Sequence, residues 1–503
     1  MFSKDPKALL PQGIEPSAGC TKCTSSITFK SKQAKQFQVG TSIPTLSFKT
    51  KQSWAGSIAI PDTPTAKGAS LFFWLWGKDA VQSGNDLVIW MNGGPGCNSL
   101  VGMTTENGPF IFNTNKAQPN PYSWTTAANM LYIAQPIGAS FTTGKASNSN
   151  ELQISEQFTL FLIEFFKVFP ELSRFNIWLT GESYMGNMAP YQWNAIKQNP
   201  QSKNLAMKGG MLVSPLFSSI FTQVEVPVST FAKENQKILD INDRGLAKIA
   251  AESKKCKFAT FLDTYLAYPP KGKIPDPSTQ SVKAESDKCN LTNFIPTYLK
   301  YPAQGRLPVA SPNCDPFDLY QDTAKKLNPM FDYYNIDRNK EVADGQQTEA
   351  EKFLNDVNVQ NYIHAPNQQF KMCKDVFSGG NLDLSDAGDS TPSYSNSLFA
   401  QMIEFCGKFV IMAGALDGLV IKEGVQLALQ NLTWNGGQGF RAPPSIPMYD
   451  LEGQQKAIAT IEERGLRLII VSDSGHMVPR DSPSFSLNAI FSLVGHSSGT
   501  CHK

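Results

Sequence analysis

The sequence predicts an α/β fold in which a mainly parallel sheet, covered by helices, is interrupted by a large insertion. Short apolar runs typical of buried strands alternate with amphipathic segments as far as residue 217. This alternation fades into lysine-, proline- and asparagine-rich sequence over residues 218–384 and resumes after it. The composition, 41% hydrophobic and 17% charged, is that of a globular protein with a sizeable core.

The predicted strands follow one another in a regular order. An antiparallel pair opens the sheet, and the other strands are expected to lie mainly parallel. The predicted strands are 56–60, 71–76, 87–90, 129–134, 175–180, 211–213, 409–412 and 466–471. Residues 151–169 carry apolar side chains at helical spacing, and residues 485–493 form a second amphipathic segment.

We divide the chain into three parts. Residues 1–47 are interpreted as an N-terminal extension, residues 48–217 and 385–497 as the core, and residues 218–384 as a cap. The cap contains an internal duplication, because Cys256 and the segment YLAYP recur 33 residues later as Cys289 and YLKYP. A single duplication does not predict a solenoid, which needs at least three repeats.

Net charge and hydropathy give no support for a nucleic-acid partner or a membrane location. A net charge of +2 gives no electrostatic reason to expect nucleic acid or an anionic membrane as a partner. No run of 18 apolar residues occurs, so the sequence predicts no transmembrane helix.

The cysteines and glycosylation acceptors suit an oxidising compartment. The chain has nine cysteines and two acceptor triplets, at Asn290 and Asn431. Its first residues lack the apolar core of a secretion signal, so we interpret the signal as removed and Met1 as an added start residue. A cytosolic protein with chance triplets is the alternative. For Cys20 and Cys23, structural disulfides are favoured over a redox pair or half a zinc site.

A glycine-rich turn follows the third predicted strand. Its sequence is WMNGGPGC over residues 90–97. Such a turn can present backbone N–H groups to an anion, either a phosphate or the oxyanion of an acyl-transfer intermediate. Taken alone, a glycine-rich loop is more often just a turn.

Three further residues favour the oxyanion interpretation. Ser183 lies at a sharp strand-to-helix junction in GESYMG, and Asp417 and His476 each follow a predicted strand after a short loop. A serine hydroxyl is a weak nucleophile that needs a base, itself held by a third group. The order Ser, Asp, His is that of the α/β-hydrolase fold. Of the four histidines, only His476 lies in a core context.

Several motifs together resemble the serine carboxypeptidase family. They are WMNGGPGCNSL (90–100), GESYMG (181–186) and SGHMVP (474–479), joined by ENGPF (106–110), PNPYSW (119–124) and NLTWNGGQGF (431–440). The likeness extends from about residue 37 to residue 495 and is greatest to the secreted fungal branch.

The resemblance implies a role for each motif residue. It implies a catalytic triad of Ser183, Asp417 and His476, and an oxyanion hole formed by the N–H groups of Gly94 and Tyr184. It also implies a site for the substrate's terminal carboxylate, made by Asn92, Gly93, Glu106 and Glu182. Two acids can bind a carboxylate only if they share a proton.

The resemblance further implies a disulfide between Cys97 and Cys373, which would tie the oxyanion loop to the chain before the Asp417 strand. No pairing is implied for the other cysteines, and their odd number leaves at least one thiol free or paired outside the chain. Met185, Asn98, Ala134 and Ala415 depart from the family pattern, and of these Met185 bears on the geometry of the serine turn.

The sequence thus predicts a secreted or vacuolar serine carboxypeptidase that acts on peptide and protein C-termini through an acyl-enzyme, most actively at acidic pH. An acyltransferase of the same fold and a non-catalytic binding homologue are the alternatives. No cofactor or metal is expected, since HExxH and any close histidine pair are absent.

Overall fold

The structure is a computed structural model that describes residues 27–79, 84–113, 116–277, 315–338, 340–377, 389, 391 and 396–495. Several sequence predictions lie outside these residues. They concern the Cys20–Cys23 segment, Asn290, Cys289, Cys314 and the second copy of the 33-residue duplication.

Sixteen strands are described. They are β1 (Gln38–Val39), β2 (Ser53–Ala59), β3 (Ala66–Trp76), β4 (Asp86–Met91), β5 (Phe110–Phe112), β6 (Ala117–Pro119), β7 (Asn129–Ile133), β8 (Thr143–Ala146), β9 (Asn176–Glu182), β10 (Met207–Val213), β11 (Phe409–Gly414), β12 (Thr433–Trp434), β13 (Gly437–Gln438), β14 (Ile446–Tyr449), β15 (Gln455–Glu463) and β16 (Leu466–Val471). Twelve of them form one sheet in the order β1-β2-β3-β7-β4-β9-β10-β11-β16-β15-β14, with β8 beside β3.

The centre of this sheet is parallel and its two flanks are antiparallel. Strands β7, β4, β9, β10, β11 and β16 run parallel to their neighbours in this central block. Every residue of β4, β7 and β11 is buried, as expected for strands covered on both faces. The predicted mainly parallel α/β fold is confirmed.

Helices cover both faces of the sheet. Their bounds are Lys32–Gln36, Leu100–Thr105, Glu151–Val168, Met185–Gln198, Val228–Glu234, Gln236–Leu239, Asp243–Lys255, Phe261–Tyr265, Pro316–Leu327, Lys340–Asn355, Val357–Tyr362, Asn396–Cys406, Lys422–Asn431, Val478–Asp481 and Pro483–Gly495. Short 3₁₀ turns lie at Trp124–Thr126 and Pro170–Arg174, and a π-helical turn at Phe221–Glu225. None of the described helices is long and apolar enough to span a bilayer.

Two hydrophobic cores lie on opposite faces of the sheet, and β3 contributes to both. Phe73 and Leu75 pack in the core that contains the apolar face of the helix Glu151–Val168. Trp74 and Trp76 point the other way, into a core shared with Trp90. This alternation follows from the two-residue period of a strand, so an unbroken apolar run serves two cores.

The observed strands extend some of the predicted ones. β10 begins four residues before the predicted run, because the pair Gly209-Gly210 interrupts the apolar signal while the backbone still pairs with β9. β14 and β15 were not predicted, since the alternating polar residues of Gln455–Glu463 resemble a surface segment. The division into extension, core and cap stays a prediction, and β1, from the predicted extension, pairs with β2.

Candidate active site

Ser183 lies at a strained turn between β9 and the helix Met185–Gln198. Its φ of +60° is in the left-handed region, which non-glycine residues seldom occupy. Its N–H donates to the carbonyl of Val213 at 3.0 Å, and its carbonyl accepts the N–H groups of Gly186 and Leu216, each at 2.9 Å. These bonds hold the turn so that the side chain leaves the end of the strand, the geometry of a nucleophile elbow.

Asp417 and His476 meet at the ends of two neighbouring parallel strands. Asp417 follows β11, His476 follows β16, and both side chains are buried. His476 Nδ1 donates to Asp417 Oδ2 at 2.8 Å. Asp417 Oδ1 accepts the backbone N–H groups of Leu419 and Val420, each at 2.9 Å, which fixes the carboxylate. The imidazole is therefore oriented with Nε2 directed away from Asp417.

The Nε2 atom of His476 is buried and has no hydrogen-bond partner within the described part of the chain. Ser183 lies at the same edge of the sheet, because β9, β10, β11 and β16 are consecutive parallel strands. The structure thus brings Asp417 and His476 into contact and places Ser183 at their edge, without a hydrogen bond between Ser183 and Nε2. Such a bond is often long before substrate binds.

The glycine-rich turn after β4 packs directly on the Ser183 turn. A methyl group added at Gly93 would overlap the backbone nitrogen of Tyr184 and lie 3.0 Å from Ser183 Cβ. Gly94 has a φ of +113°, and a side chain there would collide with the backbone at Gly96 and Cys97. Close approach of two backbones at this point explains why the turn consists of glycines.

A disulfide joins Cys97 to Cys373, as the resemblance implied. Backbone hydrogen bonds flank it, from Asn98 N to Met372 O at 2.8 Å and from Lys374 N to Gly96 O at 3.1 Å. The glycine-rich turn is therefore held between the Ser183 elbow and a segment that precedes β11.

A buried polar cluster lies next to the elbow. Asn92 Nδ2 donates to Glu182 Oε1 at 2.6 Å and to Glu106 Oε1 at 3.3 Å. Asn92 Oδ1 accepts from Trp90 Nε1 at 3.1 Å and from the N–H of Gly102 at 3.0 Å, which fixes the orientation of the amide. The three side chains that the sequence assigned to one site therefore contact one another.

The pKa values of the two glutamates of this cluster are raised. Burial raises the pKa of Glu106 to about 7. Burial, and after it the charge of Glu106, raises the pKa of Glu182 well above its usual range. The second oxygen of each carboxyl, Oε2, is buried without a hydrogen-bond partner within the described residues. Because two buried like charges disfavour ionisation of both groups, the pair is expected to retain one proton at acidic pH.

Sequence reasoning missed Tyr334, Asp389 and Arg480 around this site. The ring of Tyr334, from the predicted cap, lies 5.2 Å from the His476 ring, and its backbone carbonyl accepts the backbone N–H of His476 at 2.6 Å. The hydroxyl of Tyr184 donates to Asp389 at 2.6 Å. Arg480 lies four residues after His476 and close to the glutamates. Only Arg480 left a local signal, a charge directly after the apolar segment MVP.

Two departures from the family pattern are accommodated by the fold. Met185 is fully buried, and its sulfur lies 3.8 Å from Gln135 Nε2. Asn98 is buried as well, donating to Ser140 O at 2.6 Å and accepting the Leu100 N–H at 2.9 Å. Neither side chain displaces an atom of the Asp417–His476 pair. At the acceptor triplet, Asn431 Oδ1 accepts the N–H of Ile274 at 2.9 Å.

Comparison with known proteins decides the family. A family model described as serine carboxypeptidase matches residues 45–496. The chain belongs to the serine carboxypeptidase family. This serine carboxypeptidase is 28% identical to a carboxypeptidase Y homolog of Arthroderma benhamiae, over 96% of its own length and 90% of the relative. It is 27% identical to the serine-type carboxypeptidase F of Aspergillus niger, covering 93% of the chain and 88% of the relative.

A solved structure has the same fold. A prohormone-processing carboxypeptidase from Saccharomyces cerevisiae superposes with a TM-score of 0.66 at 20% identity, covering 91% of this chain and 95% of the other. Family and fold together make this chain an α/β-hydrolase that acts as a serine-type carboxypeptidase, as the sequence motifs predicted.

Proposed function

We propose that this serine carboxypeptidase uses Ser183, His476 and Asp417 to remove residues from peptide C-termini, working best at acidic pH in a secreted or vacuolar setting. The observation that supports this most is the buried Asn92–Glu106–Glu182 cluster beside the Ser183 turn. Serine hydrolysis itself does not require two buried acids that share a proton next to the nucleophile, so these acids indicate an additional function of the site.

The proposed reaction follows the geometry of the site. Ser183 Oγ attacks the scissile carbonyl while His476 Nε2 takes its proton, and Asp417 stabilises the imidazolium through Nδ1. The N–H groups of Gly94 and Tyr184 bind the oxyanion. His476 then gives the proton to the leaving amine, which departs as the free C-terminal residue. A water molecule, activated by the same imidazole, hydrolyses the acyl-enzyme and restores Ser183.

Recognition of the C-terminus is assigned to Asn92, the N–H of Gly93, Glu106 and Glu182. While the two glutamates hold one proton between them, that O–H can donate to an arriving carboxylate. The Asn92 N–H that makes the longer bond, 3.3 Å to Glu106, can also donate to the carboxylate in exchange for Glu106. Once both glutamates ionise, the site carries two negative charges and repels the substrate.

The pH dependence follows from the sign of these shifts. The pKa of Glu106 is raised to about 7 and that of Glu182 is raised as well, so the shared proton is present in acid and lost as pH rises through that range. His476 must be neutral to act as a base, which sets the opposite limit. Hydrolysis of peptides with a free carboxylate is therefore expected to peak under acidic conditions.

The decisive experiment compares a blocked dipeptide with its C-terminal amide across pH. The KM of the dipeptide should rise steeply above about pH 7, whereas the amide should lack this rise. Glu182→Gln should flatten the alkaline rise, because an amide cannot ionise. Parallel pH profiles for the two substrates would contradict a carboxylate-reading site and leave a generic serine hydrolase.

Ser183→Ala supplies the control for the nucleophile. Loss of one triad member typically lowers turnover about 10⁴- to 10⁶-fold. The variant should keep its thermal stability but lose both peptide hydrolysis and covalent labelling by a fluorophosphonate. Labelling that persists in Ser183→Ala, or turnover above about a tenth of wild type, would contradict the assignment.

A further inference from the structure

Arg480 lies four residues after the catalytic histidine, yet it has no strong hydrogen-bond acceptor among the described residues. It belongs to the short helix Val478–Asp481, which begins two residues after His476. Its Nη1 donates to the sulfur of Met477 at 3.5 Å, and a thioether is a weak acceptor. Its Nη2 is buried and has no hydrogen-bond partner within the described residues.

The neighbouring Arg338 takes the carboxylates that Arg480 would be expected to bind. Arg338 donates through Nε and Nη2 to Asp332 Oδ2, at 3.2 and 3.1 Å, and through Nη1 to Asp481 Oδ1 at 2.6 Å. The other oxygen of Asp481 accepts the N–H of Gly475 at 2.8 Å and Asn335 Nδ2 at 2.9 Å. Arg480 is thus a guanidinium whose local acids are already bound to other donors.

The positive charge of Arg480 interacts with Glu106 and Glu182. Burial lowers the pKa of Arg480 to about 10, so the side chain stays charged at any pH where the enzyme works. Its positive charge opposes the burial that raises the pKa of Glu106, and it does the same at Glu182. The charged and titratable groups that face this region are Glu106, Glu182, Asp332, Asp481, Arg338, Tyr132, Tyr334 and His476.

We propose that Arg480 is the counter-charge of the carboxylate-recognition site, attracting the C-terminal carboxylate of the substrate towards Asn92 and Gly93. This inference rests on the proposed function of the Asn92–Glu106–Glu182 cluster. With one shared proton the pair carries one negative charge, and a bound carboxylate adds a second. Arg480 reduces that sum from two negative charges to one, which makes binding of an anion between two acids possible.

Removing this charge has two effects of opposite sign. The substrate carboxylate loses an attraction, so KM for a blocked dipeptide should rise about 10-fold at acidic pH, while kcat changes less than about twofold. The glutamates also lose a charge that favours their ionisation, so the alkaline rise in KM should move to higher pH. A variant that only lost packing contacts would not show both effects, a higher dipeptide KM at acidic pH and an alkaline rise in KM that begins at higher pH.

The experiment uses the full chain and the dipeptide and amide pair from about pH 5 to about pH 8. Arg480→Met removes the charge and keeps an apolar stem, and Arg480→Gln removes the charge but keeps hydrogen-bonding capacity. Arg480→Lys keeps the charge and should hold KM and the alkaline limb within about threefold of wild type. Arg441→Gln, at an exposed arginine, is the matched control for loss of one positive charge.

The outcomes separate this inference from the proposed function. Parallel profiles for the dipeptide and amide in the wild-type enzyme would overturn the carboxylate site itself. If the wild type discriminates but Arg480→Met and Arg480→Gln leave KM and the alkaline limb unchanged, Arg480 is not the counter-charge. If neither Arg480→Met nor Arg480→Gln folds, Arg480→Lys still tests the proposal, because it keeps the positive charge. Normal kinetics of Arg480→Lys on the amide together with a raised KM for the dipeptide would then also overturn the proposal.

Discussion

At the scale of single residues, the Asp417 carboxylate has two distinct tasks. One oxygen holds two backbone N–H groups and the other holds His476 Nδ1. This division means that the carboxylate is fixed by its own loop before it orients the imidazole. A substitution that keeps the first task and removes the second should separate catalysis from folding.

We therefore expect Asp417→Asn to fold and to be almost inactive. The amide oxygen can still accept the N–H groups of Leu419 and Val420, but its NH₂ group then faces Nδ1 and reverses the imidazole tautomer. The loss in kcat should be about 10³- to 10⁴-fold. Steady-state kinetics with a blocked dipeptide checks this, with thermal unfolding as the folding control. A kcat reduced less than tenfold would mean that Asp417 does not orient the base.

Local sequence predicted some residues of the site better than others. The placement of Ser183, Asp417 and His476 at one edge of the sheet was predictable, because each follows an apolar strand and parallel strands end at one edge. The contact of Tyr334 with His476 was not, since it depends on how the insertion folds back. The lack of a carboxylate partner for Arg480 among the described residues was not predictable either, because it depends on Arg338 pairing with Asp332 and Asp481.

At the scale of elements, the glycine-rich turn has almost no free volume. Its position is set by the Ser183 turn on one side and by the Cys97–Cys373 disulfide on the other. The strand, the turn and the elbow were each recognisable in the sequence. The close contact between the turn and the elbow was not recognisable in the sequence, because it depends on the register of β4 against β9.

We expect Gly93→Ala to lower kcat about 100-fold or more, because the new methyl group would overlap the Tyr184 nitrogen and displace this proposed oxyanion donor. Thermal stability should fall as well, since the Ser183 turn cannot move freely. Gly495→Ala is the matched control, because a methyl group there has no atom within 4 Å. Equal activity of the two variants would show that the turn does not form the oxyanion hole.

Loss of the disulfide tests the other support of this turn. Cys373→Ser should destabilise the protein by about 2–5 kcal/mol, because the bridge closes a long loop. The activity of the folded fraction should fall too, since residues 96–98 lose an anchor. Denaturant unfolding and kinetics on the same preparation measure the two effects. Unchanged stability, or detection of a free thiol at Cys97 in the wild type, would contradict the role given to this bridge.

At the scale of the whole molecule, buried acids are distributed well beyond the active site. Glu106, Glu151, Glu182 and Glu225 are all buried, and burial raises the pKa of each carboxyl. In the unfolded chain these groups ionise near their ordinary value of about 4.3. The native state therefore binds more protons than the unfolded state above that pH.

These raised pKa values determine the direction in which stability changes with pH. Stability falls as pH rises whenever the native state binds more protons, by about 1.4 kcal/mol per pH unit for each such group. The free energy of unfolding should thus be larger near about pH 5 than near about pH 7.5. This direction agrees with the proposed acidic working range, although it arises mostly from groups that the reaction does not use.

Glu151→Gln isolates one of these groups. Both Glu151 carboxyl oxygens are buried without a hydrogen-bond partner in the described residues, and burial followed by the charge of Asp389 raises its pKa. An amide stays neutral, so the variant should lose less stability between acidic and neutral pH than the wild type. Glu156→Gln, an exposed position on the same helix, is the control. Identical slopes for the two variants would mean that Glu151 does not contribute.

The Cys97–Cys373 bridge also has a topological consequence. Its two cysteines are 276 positions apart, so the chain between them forms a covalent ring that contains Ser183, while Asp417 and His476 lie beyond it. A protease that cut the backbone once inside this ring, at a bond after Ser183, would leave the two fragments joined through the bridge. The nucleophile and its base would then belong to different polypeptides of one molecule, separable only after reduction.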